Sequence, residues 1–149
     1  MRAVLQRVSE ARVEVAGETV GQIGRGLCAL IGVANGDTAQ DAGWLADKLV
    51  NARVFEDDAG KMNLSVKEIG GAVLCVSQFT LLGDMRRGNR PSFGDALAPE
   101  PARVLFEGLC AQVASHGIVV ETGRFRAEMR VQLVNEGPVT VLLDSRRSF

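Results

Sequence analysis

Histidine occurs only once in this chain of 149 residues, at His116. A catalytic Ser-His-Asp triad needs a histidine beside its nucleophile, and hydrolytic zinc sites are usually built from several histidines or cysteines. His116 ends a segment of helical periodicity, where its expected role is a favourable interaction with the helix dipole. No glycine-rich phosphate-binding loop follows a predicted strand either. We therefore expect a protein that needs no metal and no cofactor and, if it is a hydrolase, one without a conventional base.

Cysteine is also scarce, and its placement argues against a disulfide framework or a thiolate metal site. Cys28, Cys75 and Cys110 are far apart in the sequence, and each lies among apolar neighbours. This pattern is typical of buried free thiols that pack as small hydrophobic side chains.

Long apolar segments are absent as well. No apolar run approaches the roughly 20 residues that a membrane-spanning helix needs. The first residues lack the apolar stretch and the cleavage site of a secretory signal. We expect a soluble cytoplasmic protein with no membrane partner.

The remaining composition is that of a folded globular protein, with 46% hydrophobic and 23% charged residues. Its length predicts one domain over residues 1–149. The net charge of −1 argues against a dedicated, tight nucleic-acid binder, which is usually basic. Arginine is suited to bidentate contacts with phosphate, and three arginine clusters stand out: Arg86, Arg87 and Arg90; Arg124, Arg126 and Arg130; and Arg146 and Arg147. They are candidate phosphate contacts, with solvated surface charge as the alternative for each one.

The apolar periodicity predicts an α+β fold, with a largely antiparallel sheet that curves towards a barrel and two main helices. One helix is expected after the turn and cap at residues 35–38, and the second from residue 99 to His116 and Gly117. A glycine- and arginine-rich loop over residues 83–94 is expected to be mobile. The predicted strands cover residues 2–8, 12–15, 26–33, 73–76, 118–121, 129–134 and 139–143.

Two short segments carry most of the functional information: Ser77-Gln78-Phe79-Thr80-Leu81 and Asn135-Glu136-Gly137-Pro138-Val139-Thr140. Each lies at the edge of an apolar strand pattern, where backbone groups can be held rigidly. Proline cannot donate to a sheet ladder, so Gly137-Pro138 predicts a bend rather than a paired strand interior. Only about 5–6% of X-Pro bonds are cis, so these residues by themselves favour a trans, strand-ending turn.

Together the two segments resemble the signature motifs of the D-aminoacyl-tRNA deacylases, which pair Ser-Gln-x-Thr with Asn-x-Gly-Pro-x-Thr. Both motifs are intact here and occur in the family's order. Further segments fit the family's pattern along the whole chain: Leu5-Gln6-Arg7-Val8, Gly60-Lys61-Met62-Asn63-Leu64-Ser65, Arg90-Pro91-Ser92-Phe93 and Thr122-Gly123-Arg124-Phe125.

The resemblance implies a metal-independent esterase that hydrolyses D-aminoacyl-tRNA to free amino acid and tRNA, a chiral proofreading step of translation. It also implies that Gly137-Pro138 is cis and enters the active site of the partner subunit of a homodimer. There its carbonyl groups would exclude L-amino acids by collision. Glycine has no side chain to collide with these carbonyl groups, so we expect glycyl-tRNA, including glycine mischarged on tRNA-Ala, to be hydrolysed as well.

Within this resemblance, we expect the backbone amides of Phe79 and Thr80 to stabilise the oxyanion that develops during ester cleavage. The Thr80 hydroxyl is either a weak nucleophile, an orienting group or a structural hydrogen bond. We favour activation of water by the 2′-hydroxyl of the substrate, because no residue is placed to deprotonate Thr80. Ser77, Gln78 and Met129 are candidate substrate-binding residues, as are Gly137 and Pro138. The aminoacyl-adenosine end of tRNA is the expected partner, with Arg86, Arg87 and Arg90 contacting its phosphates.

Two alternatives stay open on the sequence. One is a related specificity on the same fold, such as removal of mischarged glycine or L-alanine. The other is a binding module for a small molecule or a tRNA end, related to synthetase editing domains. Turnover of D-aminoacyl-tRNA separates an enzyme from a binding module.

Overall fold

The computed structural model describes all residues from 1 to 149. Its elements follow in the order β1 (Arg2–Val15), β2 (Glu18–Ile23), β3 (Gly26–Gly32), α1 (Ala39–Asn51), β4 (Phe55–Glu56), β5 (Met62–Leu64), β6 (Ala72–Ser77), a 3₁₀ helix (Phe79–Leu82), α2 (Pro99–Ala114), β7 (Val119–Thr122) and β8 (Arg130–Asp144). The α+β class with two main helices is confirmed.

The sheet is organised around the long strand β1. β8 pairs antiparallel along one edge of β1, while β3 and β2 pair antiparallel with successive parts of the other edge. β6 then pairs parallel with β3, and β7 pairs parallel with β6. The sheet is therefore mixed, with the antiparallel pairs in the majority, and β4 and β5 form a separate hairpin.

β3 and β6 lie between two hydrophobic cores. Their side chains point alternately into one core and the other, because successive strand residues point to opposite faces. Leu27 and Cys75 belong to the larger cluster, which the sheet forms with both helices. Cys28, Leu74 and Val76 belong to a smaller cluster inside the curved sheet. Both strands are buried on both faces, which explains their continuous apolar sequences.

The curvature of the sheet brings β2 close to β7. A β-carbon built on Gly21 of β2 would collide with the carbonyl oxygen of Thr122 in β7, and the carbonyl carbon would lie 3.1 Å away. The absence of a side chain at Gly21 therefore permits the close approach that nearly closes the barrel.

Two details differ from the sequence-based expectations. Residues 2–8 and 12–15 belong to one strand, since β1 continues through the exposed Ser9 and Glu10. The residues after Ser77 form a 3₁₀ helix rather than a strand end. Within the loop over residues 83–94, whose mobility stays a prediction, Asp84 and Ser92 exchange backbone hydrogen bonds of 2.8 and 2.9 Å.

The bend at Gly137-Pro138 is confirmed. Pairing of β8 with β1 passes from Asn135 opposite Val8 to Thr140 opposite Gln6, so the four intervening residues bulge away from the ladder opposite Arg7. The Gly137-Pro138 peptide bond is cis.

All three thiols are free, as predicted. Cys28 and Cys75 are buried, whereas Cys110 is half-buried. Burial raises the pKa of Cys28 to about 11. A hydrogen bond with Cys110 and burial raise the pKa of Cys75. Both buried thiols are thus protonated at neutral pH.

Neither helix combines the length and the apolar character that crossing a membrane would require.

We expect Gly21→Ala to destabilise the protein by about 1–3 kcal/mol, because the added methyl group must push β2 away from the β7 backbone. Urea denaturation measures the change in the free energy of unfolding. Gly24→Ala is the matched control, since a β-carbon at Gly24 has no neighbour within 4 Å. Equal stability of the two variants would contradict closure of the barrel at Gly21.

Candidate functional site

A cavity of about 610 Å³ opens where β6 ends, beside the start of α2 and the segment that leads into β8. Such a volume suits one small-molecule ligand. Its floor includes Val76 and Val131, which belong to or pack against the inner core of the curved sheet. Five of the predicted site residues line this cavity, namely Ser77, Gln78, Phe79, Thr80 and Met129.

The geometry at the mouth of the cavity follows from the way β6 ends. The Gln78 N–H donates to the Ile31 carbonyl over 2.7 Å, which ties the end of β6 to β3. Gln78 then leaves the strand conformation, with φ −143° and ψ 81°, and caps the 3₁₀ helix. Phe79 and Thr80 are the first residues of that helix, so the helix offers no acceptor for their N–H groups. Neither amide donates to a loop or turn carbonyl.

The chemistry available to Thr80 is limited by its surroundings. Its hydroxyl oxygen accepts a hydrogen bond from the Gln78 side-chain amide. No aspartate, glutamate, histidine, lysine or cysteine lines the cavity. A hydroxyl without a neighbouring base is a poor nucleophile, so this geometry favours an orienting role for the Thr80 side chain.

An aromatic pair borders the same cavity. The rings of Phe79 and Phe93 meet edge to face with centroids 5.1 Å apart. Phe79 is 56% exposed and Phe93 is 36% exposed, so neither ring is committed to the core. Phe93 was not among the predicted site residues, although it lies in the Arg90–Phe93 segment that fits the family's pattern.

Gly137 and Pro138 lie elsewhere. Neither residue lines the cavity of its own chain, and both are exposed on the bulge of β8. The Asn135 side chain brackets the bulge: it accepts from the Val139 N–H over 2.7 Å and donates to the Val139 carbonyl and the Thr140 hydroxyl over 3.2 and 3.1 Å. The spacing of Asn135 and Thr140 thus has a structural explanation.

Arg7 holds the other side of this bulge. Its Nε donates to the Glu136 carbonyl and its Nη1 to the Val54 carbonyl, each over 2.8 Å. Arg7 is only 9% exposed and continues the core-facing register of Ala3 and Leu5 on β1. A charged residue at a core-facing strand position is the sequence signal that could have identified it.

Gly137 itself has little room for a side chain. Its φ of +142° lies in a region that L residues rarely adopt. A β-carbon there would lie 2.8 Å from Val139 Cγ2 and 3.1 Å from Arg7 Nη2. The local packing therefore requires glycine.

The predicted phosphate contacts lie outside the cavity. Arg86 forms an ion pair with Asp84, with Nη2 and Oδ2 2.7 Å apart. The hydrogen bonds from Arg86 lower the pKa of Asp84 to about 2, so this pair stays charged at neutral pH. Arg87 and Arg90 are exposed and form no ion pair. No group of three or more histidine, cysteine or acidic side chains is gathered in a way that could hold a metal ion.

Comparison with known proteins identifies close relatives over the whole chain. Residues 4–144 match the family described as D-Tyr-tRNA(Tyr) deacylase. Two relatives named D-aminoacyl-tRNA deacylase align with 100% of this chain and over 100% of their own length. The relative from Anaeromyxobacter dehalogenans (strain 2CP-C) is 64% identical to this chain, and the relative from Thermotoga petrophila is 58% identical. A solved structure of the c-Myc DNA Unwinding Element Binding Protein has a TM-score of 0.91 and 39% identity, covering 97% of this chain and 98% of that one.

Proposed function

This chain belongs to the D-Tyr-tRNA(Tyr) deacylase family, and we propose that it hydrolyses the ester bond of D-aminoacyl-tRNA, as a proofreading enzyme of translation. One structural observation supports this activity in addition to membership of the family. The Ser77–Thr80 segment lines a cavity with two uncommitted backbone amides and with no side chain that could act as a base. We propose further that residues 1–149 act as one deacylase domain in the cytoplasm.

In the proposed reaction, the oxygen of a water molecule attacks the ester carbonyl carbon. The N–H groups of Phe79 and Thr80 stabilise the resulting oxyanion, which donors fixed in advance can do without reorganisation. The bond from the carbonyl carbon to the ribose oxygen then breaks, and that oxygen leaves with a proton. The 2′-hydroxyl of the terminal adenosine helps to activate the water, so the protein mainly positions the ester. No metal takes part.

The apolar part of the cavity suits the nucleoside. Twelve of its 17 lining residues are hydrophobic. The exposed ring of Phe79 offers a surface on which the adenine can stack, a contact worth about 1–3 kcal/mol per base. Met129 borders the same space, while Gln78 and Ser77 offer hydrogen-bonding groups to the polar atoms of the substrate.

We propose that chiral selection comes from a second copy of the chain. Because Gly137 and Pro138 do not reach the cavity of their own chain, the bulge must enter the cavity of a partner to act there. It lies on β8, which pairs only with β1 within this chain and carries the exposed side chains of Val134 and Leu142. Backbone carbonyls from this bulge would collide with an L side chain, which is selectivity by exclusion. Glycine would escape exclusion, so glycyl-tRNA is a proposed second substrate.

The tRNA itself would extend beyond the cavity. Arg87 and Arg90 have no ion-pair partner and are the better candidates for phosphate contacts in the 83–94 loop. Arg86 would have to exchange Asp84 for a phosphate.

We expect the purified protein to deacylate D-Tyr-tRNA and other D-aminoacyl-tRNAs at rates within about 10-fold of one another, since no pocket reads the side chain. Glycyl-tRNA should also be hydrolysed and L-Tyr-tRNA spared. Release of labelled amino acid measures each rate, and EDTA should leave the rates unchanged once tRNA folding is controlled. Binding of aminoacyl-tRNA without turnover would favour the binding-module alternative. Efficient cleavage of glycyl- or L-alanyl-tRNA with no cleavage of D-aminoacyl-tRNA would favour the related specificity.

The backbone-amide mechanism predicts that Phe79→Pro and Phe79→Ala differ sharply. Proline is tolerated at the first position of a helix but has no N–H, so kcat should fall by about 10²–10³ through loss of one oxyanion donor. Phe79→Ala keeps the N–H and removes the ring, so it should mainly raise KM. Circular dichroism checks that both variants fold. Similar kcat values for the two variants would contradict the role of this amide.

Mixed dimers test whether the bulge acts across subunits. Gly137→Ala should abolish D-substrate turnover, because its methyl group displaces Val139 or Arg7 and the displaced bulge would then obstruct the substrate in the partner's cavity. When a Gly137→Ala chain pairs with a Phe79→Pro chain, one site receives both defects and the other receives neither. Differently tagged chains allow the mixed dimer to be isolated, and about half of the wild-type activity should survive by the symmetry of the pair. Negligible activity of the mixed dimer, or full activity of a monomer, would show that each chain completes its own site.

A further inference from the structure

Arg126 is the only charged side chain that lines the cavity, whose other polar side chains are Ser77, Gln78 and Thr80. Five of the 14 arginines form an ion pair, among them Arg86 with Asp84 and Arg12 with Glu14. Arg126 takes part in no ion pair and in no side-chain hydrogen bond. An uncompensated guanidinium at the edge of a neutral cavity is a binding group for an anion.

The backbone around Arg126 is held in place by the same strand that positions the amides. Arg126 has φ 64°, a left-handed conformation that is uncommon for a residue other than glycine. The Ala127 N–H donates to the Arg124 carbonyl over 3.1 Å and closes this turn. At its start, the Gly123 N–H donates to the Cys75 carbonyl of β6 over 3.3 Å. Arg126 and Ser77 are therefore positioned by a common element.

We propose that Arg126 binds the phosphate group on the 5′ side of the terminal adenosine, an inference that rests on the proposed deacylase function. A cavity of about 610 Å³ is large enough for an aminoacyl-nucleoside but not for the nucleotide that precedes it. The phosphodiester between the two must therefore lie at the edge of the cavity, and it is the nearest anion of the substrate. The planar guanidinium donates two parallel hydrogen bonds to phosphate oxygens. Arg126 thereby fixes how deeply the adenosine enters.

The direct test compares the binding of adenosine and of AMP, which differ only in this phosphate, by calorimetry with the full-length protein. The wild type should bind AMP about 10-fold or more tightly than adenosine, as expected for a hydrogen bond to a charged group. Arg126→Gln should bring the two affinities together while leaving adenosine binding unchanged. Arg126→Lys should retain part of the preference. Arg126→Gly, which also relieves the positive φ, should behave like Arg126→Gln.

Arg147→Gln is the matched control, because Arg147 also has a positive φ, 54°, and does not line the cavity. It should keep the wild-type preference for AMP. In kinetics with aminoacyl-tRNA, Arg126→Gln should raise KM about 10-fold with little change in kcat, and it should weaken the dependence of KM on salt.

Two results would overturn the proposal: equal wild-type affinity for adenosine and AMP, including no binding of either, or an AMP preference that survives Arg126→Gln. These results are distinguishable from failure of the deacylase proposal, which is tested by turnover of D-aminoacyl-tRNA. A preference for AMP that depends on Arg126 in a protein without turnover would leave the phosphate contact standing and remove the reaction.

Discussion

The parallel pairing of β3 with β6 is the constraint on which the rest of the site depends. Six consecutive pairs join residues 26–31 to residues 72–77, and the Gln78 amide adds a further hydrogen bond to Ile31. Alternate residues of both strands are packed into two different cores. A shift of the pairing by one residue would exchange the two faces of each strand. The register of β6 against β3 is therefore fixed, and with it the position at which β6 ends. The amides of Phe79 and Thr80 follow directly after this fixed strand end, so their positions are fixed as well. Electrostatic stabilisation of an oxyanion requires donors that are held in place in this way.

The second signature segment depends on β1. This strand carries Arg7, and its opposite edges pair with β8 and with β3, so one strand connects the bulge at Gly137 to the ladder that ends at Ser77. Within one chain, Gly137 and Pro138 lie outside the cavity that Ser77–Thr80 lines. The shape of the bulge is fixed by Arg7 on one side and Asn135 on the other. A rigid but outward-facing segment can act only on something outside its own chain, which is the physical basis of the proposed dimer.

Much of the fold could be predicted from the sequence because its signals are local. The continuous apolar runs at residues 26–33 and 73–76 identified buried strands, and Pro99 marked the start of α2. The structure places the predicted site residues Ser77–Thr80 together with Met129 around one cavity, while their roles in binding and catalysis stay a prediction. The mixed pairing of the sheet could not be read in this way, because strand order depends on long-range packing. The 3₁₀ helix was missed since Phe79-Thr80-Leu81-Leu82 has no cap or periodicity that distinguishes it from a strand.

Arg7 and Arg126 show two different limits of sequence interpretation. Arg7 occupies a core-facing position of β1, so its alternation pattern contained the signal of a buried, functional charge. The sequence shows Arg126 only as one member of the cluster with Arg124 and Arg130, and the tertiary structure is needed to place its turn beside β6. Arg126 is the one charged residue that lines the cavity. The proposed site is thus built from backbone amides, apolar surface and one arginine. Because no aspartate, glutamate, histidine, lysine or cysteine lines the cavity, the proposed reaction depends on the substrate's own groups and on the position that the backbone amides give to the ester.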